Sequence, residues 1–425
     1  MRPRVPTLIP NNDHPVDPIM RWINLTGQSP IRILKYEPSM EDFLRLHSDA
    51  RVTFASGDET TALLKWKATF KNQNNSLVAS WKPGSDACND WYGVSCINGR
   101  VNTLNITNAS VFATLYDFPF SSLPFLEYLD HTINNFSGTI PPEIGNLTNL
   151  VYLDLNSNQI SDTIPSQIGS LVKLQILRIF DNYLNGPVPG EVAYIRSLTK
   201  LSLGGNFLIG SIPASLGNLN NLSYLELGNL KNLNTLALYN NQLPGPIPSE
   251  LGNLKSLNYL LLHNNQLSGP IPSELQNLKN LNHLVLSNNK NLFGPIPTEL
   301  GNLKKLNNLE LSDNQLFGPI PKEIGYLRSL TKLSLGENFL NGSIPTSLGN
   351  LYNLSFLYLY LNQLSGPIPS ELGNLKNLNY LELSNNHLTG PIPSELRNLT
   401  NLSDLGLSNN QLSGRIPSEL RNLEN

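Results

Sequence analysis

A 24-residue unit is repeated along most of this 425-residue chain, and it constrains the fold more than any other feature. One copy, at 366–389, reads GPIPSELGNLKNLNYLELSNNHLT. An asparagine follows each "LxL" segment, and most successive copies place it 24 residues further on. A fixed period of this length is typical of a solenoid, in which each unit forms one coil and stacked coils bury one continuous core. The register asparagines are Asn158, Asn182, Asn206, Asn241, Asn265, Asn289, Asn314, Asn338, Asn362, Asn386 and Asn410.

The LNYLELS segment of the unit predicts a short strand with one buried face. Apolar and polar residues alternate, so Leu381 and Leu383 point inward while Tyr380 and Glu382 point outward. The asparagine that follows has two donors and one acceptor for backbone groups, and stacked asparagines would form a ladder between coils. A glycine turn, an Ile-Pro step and a short helical turn then bring the chain back. We expect about thirteen coils, stacked about 4.8 Å apart.

The charge balance of the chain does not point to a polyanionic partner. The net charge is −3, and 14% of the residues are charged. These values give no electrostatic reason to expect a nucleic acid or an anionic membrane as partner. No run of about 18 apolar residues occurs, so no transmembrane helix is predicted.

Two cysteines, Cys88 and Cys96, lie close together in ACNDWYGVSC. This spacing indicates either one local disulfide or two free thiols in a reducing compartment. Glycosylation sequons favour the oxidising alternative, although a repeat rich in Asn and Ser also produces such triplets by chance. The sequon asparagines include Asn105, Asn108, Asn135, Asn146, Asn221, Asn341, Asn353, Asn398 and Asn401.

The unit LxxLxLxxNxLxGxIPxxLGNLxxL, with its LxGxIP element, resembles the 24-residue plant extracellular leucine-rich repeat and covers residues 101–425. Residues 58–98, with the helix ALLKWKATF, Trp81 and WYGVSC, resemble the N-terminal cap of plant receptor-like kinases and receptor-like proteins. The resemblance implies an α/β solenoid: a right-handed leucine-rich-repeat superhelix with a parallel concave β-sheet and an N-terminal helical cap. It also implies a disulfide between Cys88 and Cys96.

The cap helix can be predicted from its own residues. Ser56 and Glu59 have the spacing of a capping box, and Leu63, Trp66 and Phe70 form an apolar stripe. Such a cap would shield the core of the first coil.

The chain divides into three predicted parts: an atypical and poorly ordered leader at 1–56, the cap at 57–100, and about thirteen repeats at 101–425. The first 50 residues contain no apolar segment typical of a secretory signal. Neither a kinase domain nor a second cysteine pair follows the repeats. We therefore expect a soluble or truncated relative of the family.

Two units depart from the pattern. The interval from Asn206 to Asn241 is 35 residues, so we expect a truncated repeat near 222–235 that leaves the regular stack. His131 stands where an inward leucine is expected, and we expect it to strain the second coil.

No constellation of residues in the sequence predicts catalysis or a cofactor. His263 and His283 fall on outward positions of neighbouring coils, but a metal site needs a third ligand. The outward carboxylates Asp154, Glu310 and Glu382 lie on well-separated coils, so they cannot form an acid–base pair. No phosphate-binding loop, nucleophile elbow or HExxH motif occurs. We therefore expect a protein that is not an enzyme.

Outward aromatic residues are the remaining candidates for a binding surface. Large rings on rigid strands give contact area at low entropic cost, although tyrosine also favours strands through propensity alone. We predict a main site centred on the Tyr358 coil and the next coil, with Tyr358 and Tyr380 as the principal contacts. The predicted site residues are Phe356, Tyr358, Tyr360, Tyr380 and Glu382, with a second group of Tyr239, Tyr259 and His263.

The resemblance implies a recognition module for signalling or defence, in the plant apoplast or associated with the cell surface. It would bind a peptide or protein and then pair with a receptor-like kinase co-receptor. A soluble inhibitor similar to the polygalacturonase-inhibiting proteins is the first alternative. An ice-binding solenoid is a weaker one, because it would need a flat array of small polar residues.

Overall fold

A computed structural model describes residues 57–72, 77–219 and 232–418 of the chain. The predicted leader, residues 1–56, and the sequon Asn221 lie outside these residues. In the described part, each repeat forms one coil with a concave strand, a return segment of 3₁₀-helix and, in most coils, a short lateral strand.

In the described part of the chain, the concave sheet has 14 strands, of which the first pair is antiparallel and all later pairs are parallel. From the strand Tyr128–Asp130 to the strand Tyr380–Glu382, the central residue of each strand is a fully buried leucine, as the alternation predicts. The strands are β1 (Val94–Ile97), β2 (Arg100–Asn105), β4 (Tyr128–Asp130), β6 (Tyr152–Asp154), β8 (Ile176–Arg178), β10 (Lys200–Ser202), β11 (Thr235–Ala237), β13 (Tyr259–Leu261), β15 (His283–Val285), β17 (Asn308–Glu310), β19 (Lys332–Ser334), β21 (Phe356–Tyr358), β23 (Tyr380–Glu382) and β25 (Asp404–Gly406).

The lateral strands form two further parallel sheets. The four-stranded sheet contains β3 (Phe112–Thr114), β5 (Asn135–Gly138), β7 (Gln159–Asp162) and β9 (Tyr183–Leu184). The eight-stranded sheet contains β12 (Pro244–Pro246), β14 (Gln266–Gly269), β16 (Asn291–Gly294), β18 (Gln315–Pro319), β20 (Phe339–Ser343), β22 (Gln363–Pro367), β24 (His387–Gly390) and β26 (Gln411–Leu412).

The predicted helical turn of each coil is a 3₁₀-helix that begins directly after the Ile-Pro step in most coils. Glycine within this turn lets adjacent coils approach closely, since a Cβ at Gly373 would overlap the carbonyl oxygen of Glu395. The 3₁₀ segments are Val78–Ser80, Phe120–Ser122, Pro142–Asn146, Ser166–Ser170, Gly190–Tyr194, Ala214–Asn218, Ser249–Asn253, Ser273–Asn277, Thr298–Asn302, Lys322–Tyr326, Thr346–Asn350, Ser370–Asn374 and Ser394–Asn398.

The predicted asparagine ladder is confirmed, and Asn362 shows its geometry. The buried Asn362 Nδ2 donates to the carbonyl oxygens of Leu335 (2.9 Å), Leu359 (3.2 Å) and Tyr360 (3.2 Å). Its Oδ1 accepts a hydrogen bond from the backbone N–H of Leu340 at 3.0 Å. Each such side chain joins its own coil to the preceding one, because its amide bonds to backbone groups of both coils.

The cap contains helix α1 (Gly57–Lys67), and its predicted apolar stripe is confirmed for Leu63 and Trp66, which are buried. The helix ends before Phe70, which is also buried and packs edge-on against Trp66 at 4.8 Å. The predicted capping-box partner Ser56 lies outside the described residues. The Glu59 carboxylate instead joins helix to sheet, because its oxygens accept from Arg100 Nε and from the backbone N–H of Val101, both at 2.9 Å.

A disulfide joins Cys88, in helix α2 (Ala87–Asp90), to Cys96 in β1. Closing so short a loop stabilises the cap by roughly 2–3 kcal/mol in the chain-entropy description. Trp81 packs on this unit, with its ring stacked 5.3 Å from that of Trp91.

The long interval between Asn206 and Asn241 does not interrupt the concave sheet. Strand β10 pairs directly with β11 in parallel register, and Asn234 donates its backbone N–H to the carbonyl oxygen of Thr199 at 2.7 Å. The prediction that 222–235 leaves the stack is therefore wrong for residues 233–235, and residues 222–231 lie outside the described part. Residues 233–235 therefore join the stack next to the coil of β10, because β10 and β11 are immediate neighbours.

His131 occupies a leucine position in the core, as predicted. Its ring is fully buried and stacks against Phe136 and Trp66, with centroids 4.8 and 5.5 Å away. Its backbone N–H donates to the backbone carbonyl oxygen of Asp154 at 2.9 Å, so the coil keeps its regular strand pairing. The strain expected in this coil is therefore not seen in the backbone. The side chain instead lowers the stability of the fold, because neither ring nitrogen has a hydrogen-bond partner among the described residues.

We expect His131→Leu to raise the free energy of unfolding by about 1–2 kcal/mol near neutral pH, because the buried unsatisfied nitrogens disappear. Burial lowers the pKa of His131 to about 3. Below its ordinary pKa of about 6.5 the unfolded chain takes up a proton that the folded chain does not, so stability falls as the pH falls from there. At about pH 5.5 the wild type should lose roughly 1.4 kcal/mol that the variant keeps.

Urea unfolding of both proteins at the two pH values measures this difference. The exposed His387 provides the control His387→Gln, since glutamine stands at this place in the neighbouring coils as Gln363 and Gln411. An identical pH dependence in wild type and His131→Leu would contradict the prediction.

Candidate functional site

Three outward positions per coil form the candidate site on the concave sheet. Two of them flank the buried central leucine of the strand, and the third follows two residues after the strand. Parallel pairing aligns each position with the same position on the next coil, about 4.8 Å away. Side chains on successive coils therefore stack in columns.

The C-terminal part of this surface contains the predicted main site. The ring of Phe356 stacks on that of Tyr380 with centroids 5.2 Å apart, and both are partly exposed. Strands β21 and β23 pair so that Phe356 faces Tyr380 and Tyr358 faces Glu382, as expected from the repeat. The stacked pair presents a rigid aromatic surface that is formed before any ligand arrives.

Tyr358 and Tyr360 offer less surface than the sequence pattern suggested. Tyr358 is only 8% exposed, because Phe356 and Tyr360 pack on either side of it at 6.2 and 6.5 Å. Tyr360 lies after β21 and rests on Gly336, whose missing side chain leaves room for the ring. The expectation that Tyr358 is well exposed is therefore wrong, and the partly exposed ring pair is Phe356 with Tyr380.

The second predicted group is also built from stacked rings. Tyr239 stacks on His263 at 5.0 Å, and Tyr259 stacks on His283 at 4.8 Å. Burial lowers the pKa of His263 to about 4 and also lowers that of His283. Both imidazoles are therefore neutral near pH 7, and each can act as a hydrogen-bond donor and acceptor.

An ion pair connects the two aromatic groups. Lys332 Nζ lies 3.0 Å from Glu310 Oε2, and Asn308 Nδ2 donates to Glu310 Oε1 at 2.6 Å. The same ammonium group lies 6.0 Å from the ring centroid of Tyr358. Sequence reasoning missed this link, although the alignment of the units already placed Lys332 one coil after Glu310.

We call the surface from Tyr239 to Glu382 the concave strip. Its C-terminal end is acidic, because the Glu382 carboxylate lies over Gly406 of the next coil and Asp404 faces Tyr380 there. Burial and the nearby Asp404 raise the pKa of Glu382, while a hydrogen bond from the Ser384 hydroxyl at 3.2 Å opposes this shift. A basic ligand group placed here would relieve the repulsion between the two carboxylates.

A separate polar cluster lies near the N-terminal end of the sheet. Asp130 and Asp154 face each other on β4 and β6, a pair that the sequence reasoning missed because it compared Asp154 only with Glu310 and Glu382. Tyr128 and Tyr152 stack at 4.1 Å, and Arg178 Nε lies 3.2 Å from Asp154 Oδ2. Burial raises the pKa of Asp154 to about 6, against the opposing effect of Arg178. The cluster is largely buried, so it acts as internal structure of the sheet.

One further concavity, about 510 Å³ in volume, runs along the edge where the chain enters the concave strands. Its lining contains only neutral polar residues: Asn307, Ser329, Thr331, Asn353, Ser355, Asn377, Asn379 and Asn401. In the described ranges, no three His, Cys, Asp or Glu side chains lie close enough together to hold a metal ion. No helix in the described part is long and apolar enough to cross a membrane.

Family profiles match most of the repeats and the cap. The profile for the leucine rich repeat N-terminal domain matches residues 56–97, and that for a leucine-rich repeat region matches 299–424. The single leucine rich repeat profile matches 149–171, 197–219, 232–254 and 256–278.

Curated relatives match this chain over a limited segment. The MDIS1-interacting receptor like kinase 2 of Arabidopsis thaliana is 48% identical over 99 residues, which are 23% of this chain and only 10% of that protein. A polygalacturonase inhibitor of Vitis vinifera is 38% identical over 80 residues, which are 18% of this chain and 23% of the inhibitor.

Solved structures match over most of the chain. The PEPR1–AtPEP1 structure matches with a TM-score of 0.79 at 38% sequence identity. The match covers 86% of the present chain and 50% of the chain in that structure. The plant peptide hormone receptor RGFR1 in complex with RGF2 matches with a TM-score of 0.64 at 33% sequence identity. The match covers 80% of the present chain and 67% of the receptor chain. A plant ice-binding protein matches with a TM-score of 0.52 at 26% sequence identity. The match covers 86% of the present chain and 98% of the ice-binding protein's chain.

Proposed function

This chain belongs to the plant leucine-rich-repeat proteins related to receptor-kinase ectodomains, and on that basis we propose that it is a non-catalytic recognition module that binds a peptide or protein on its concave face. The observation that carries the proposal is the concave strip. Stacked rings at both ends and the Glu310–Lys332 pair between them make one continuous surface of aromatic and charged groups.

The dimensions of the concave strip suit an extended peptide. It crosses seven neighbouring strands from β11 to β23, which is about 29 Å at the usual strand spacing. An extended chain of about nine residues covers that length. The acidic end at Glu382 and Asp404 favours a basic residue at one end of the ligand, and the Phe356–Tyr380 stack favours an apolar or aromatic side chain beside it.

The partners and location follow from the same proposal. Structural neighbours include receptors solved with peptides, among them RGFR1 with RGF2. We place this chain in the apoplast, where the Cys88–Cys96 disulfide persists, and a receptor-like kinase co-receptor is its further partner.

Two alternative functions are less well supported by the concave strip. An inhibitor of a cell-wall-degrading enzyme shares the repeat but would be expected to use contacts with a large protein partner. An ice-binding solenoid would need a flat array of small polar groups. The concave strip is instead bulky and aromatic, which favours the recognition module.

The test uses the full chain secreted from plant cells and immobilised on a resin. Peptides from plant apoplastic fluid are passed over it, and bound peptides are identified by mass spectrometry and resynthesised. We expect one or a few peptides with a basic residue that bind at a one-to-one ratio in calorimetry. If no peptide binds and the chain instead inhibits a fungal polygalacturonase, the inhibitor alternative replaces the proposal.

A further inference from the structure

Two adjacent phenylalanines lie exposed on the eight-stranded lateral sheet, away from the concave strip. Phe317 on β18 is 49% exposed and Phe339 on β20 is 51% exposed. The register of the two strands places these residues directly opposite each other. We call them the phenylalanine patch. Most other coils place a polar residue at the position of Phe339, as Gln315 and Gln363 show.

A glycosylation sequon lies on the same strand as Phe339. Asn341 is two residues further along β20, so the two side chains project from the same exposed face about 7 Å apart. The sequon is completed by Gly342 and Ser343. No hydrogen bond of the Asn341 side chain is present in the described part of the chain, whereas Asn353 Nδ2 donates to Arg328 O at 2.8 Å and Asn401 Nδ2 donates to Lys376 O at 2.9 Å.

We propose that Asn341 carries an N-linked glycan whose first sugar covers the phenylalanine patch. The donor is a lipid-diphosphate-linked oligosaccharide. Asn341 Nδ2 forms a bond to the anomeric carbon, the bond from that carbon to the diphosphate oxygen breaks, the lipid diphosphate leaves, and Nδ2 loses one proton. The first N-acetylglucosamine has an apolar face of C–H groups that packs on an aromatic ring, as apolar groups do when they leave water.

The glycan on Asn341 would keep the phenylalanine patch from contacting other chains. An exposed apolar patch on a parallel sheet promotes association with other chains, and a bulky hydrophilic glycan blocks that association. The first sugar also adds contacts that exist only in the folded coil, so it stabilises β20.

A sequon also lies next to an exposed phenylalanine on the four-stranded lateral sheet, in this case across two paired strands. Phe112 on β3 is 43% exposed, and its register partner on β5 is the sequon asparagine Asn135. By contrast, the sequon Asn146 ends a 3₁₀ segment, and its Nδ2 donates to Ser121 Oγ at 3.1 Å. A sequon beside an exposed phenylalanine thus occurs on both lateral sheets.

The experiment uses the full chain secreted from a eukaryotic host behind a cleavable signal sequence, so it does not depend on the ligand. Glycopeptide mass spectrometry measures occupancy at Asn341. Thermal unfolding is then compared in a double-mutant cycle of Asn341→Gln and Phe339→Gln, in which the glutamine copies the neighbouring coils. Asn146→Gln is the matched sequon control, and trimming with an endoglycosidase leaves the first sugar alone.

We expect occupancy at Asn341 and a fall of about 1–3 °C in the apparent melting temperature of Asn341→Gln. The fall should be largely absent in the Phe339→Gln background, and trimming to one sugar should preserve the higher value. Asn341→Gln should also be retained longer on a hydrophobic-interaction column, while Asn146→Gln should show no coupling to Phe339. An unoccupied Asn341, or equal effects of Asn341→Gln in both backgrounds, would overturn the proposal.

Discussion

Asn362→Ala should lower the free energy of unfolding by about 2–4 kcal/mol, although it removes only a small polar side chain. The substitution leaves the backbone N–H of the fully buried Leu340 without its acceptor, where water cannot replace it. The carbonyl oxygen of Leu335 loses its shorter donor and keeps only Asn338 Nδ2, at 3.2 Å. A buried unsatisfied group costs about 1–3 kcal/mol, and the weakened bond to Leu335 and the loss of packing around the amide add to it.

Asn374, an exposed asparagine at the end of a 3₁₀ segment of the next coil, provides the matched control. Its replacement by alanine should change stability by no more than about 0.5 kcal/mol. Urea unfolding measures both variants, and hydrogen exchange of residues 335–364 should show faster exchange in Asn362→Ala alone. Equal stabilities of the two variants would show that the ladder does not hold the coils together.

The double variant Phe356→Ala/Tyr380→Ala should weaken binding of the captured peptide by about 3–4 kcal/mol, a hundredfold or more in Kd. The two rings stack at 5.2 Å on neighbouring rigid strands, so the free protein already holds them in place for binding. Their removal deletes the partly exposed ring pair at the C-terminal end of the concave strip. Both side chains are outward, so the leucine core and the asparagine ladder stay intact.

Calorimetry with the wild type and the double variant measures this loss. Tyr194→Ala is the matched control, because Tyr194 is 66% exposed and ends a 3₁₀ segment, outside the concave strip. Circular dichroism should show the same fold for all three proteins. Unchanged binding by the double variant would move the contact to the second group, Tyr239, Tyr259 and His263.

The repeat allowed much of the architecture to be predicted from the sequence. The fixed interval between register asparagines determines which residues stack, so the inward leucines, the ladder and the pairing of Tyr358 with Glu382 follow from counting. Counting could also have found the facing pair Asp130 and Asp154, which are 24 residues apart. That pair was missed because only Asp154 was compared, and it was compared with distant coils.

Contacts between different kinds of element could not be predicted in this way. Glu59 fits a local capping box, yet its carboxylate bonds to Arg100 and Val101, more than 40 residues away in the chain. Local spacing describes only what a side chain can reach within its own helix. Which strand the helix packs against depends on the whole cap.

The sequence by itself determined that this chain is a leucine-rich-repeat solenoid with a helical cap and an aromatic outward column, because period and alternation are local properties of the chain. Only the tertiary structure decided how much of that column is accessible. Tyr358 is buried by Phe356 and Tyr360 although its position is outward, and Lys332 turns toward Glu310 instead of solvent. Exposure depends on the side chains of adjacent coils, which compete for the same few ångströms between strands, and no single repeat contains that information.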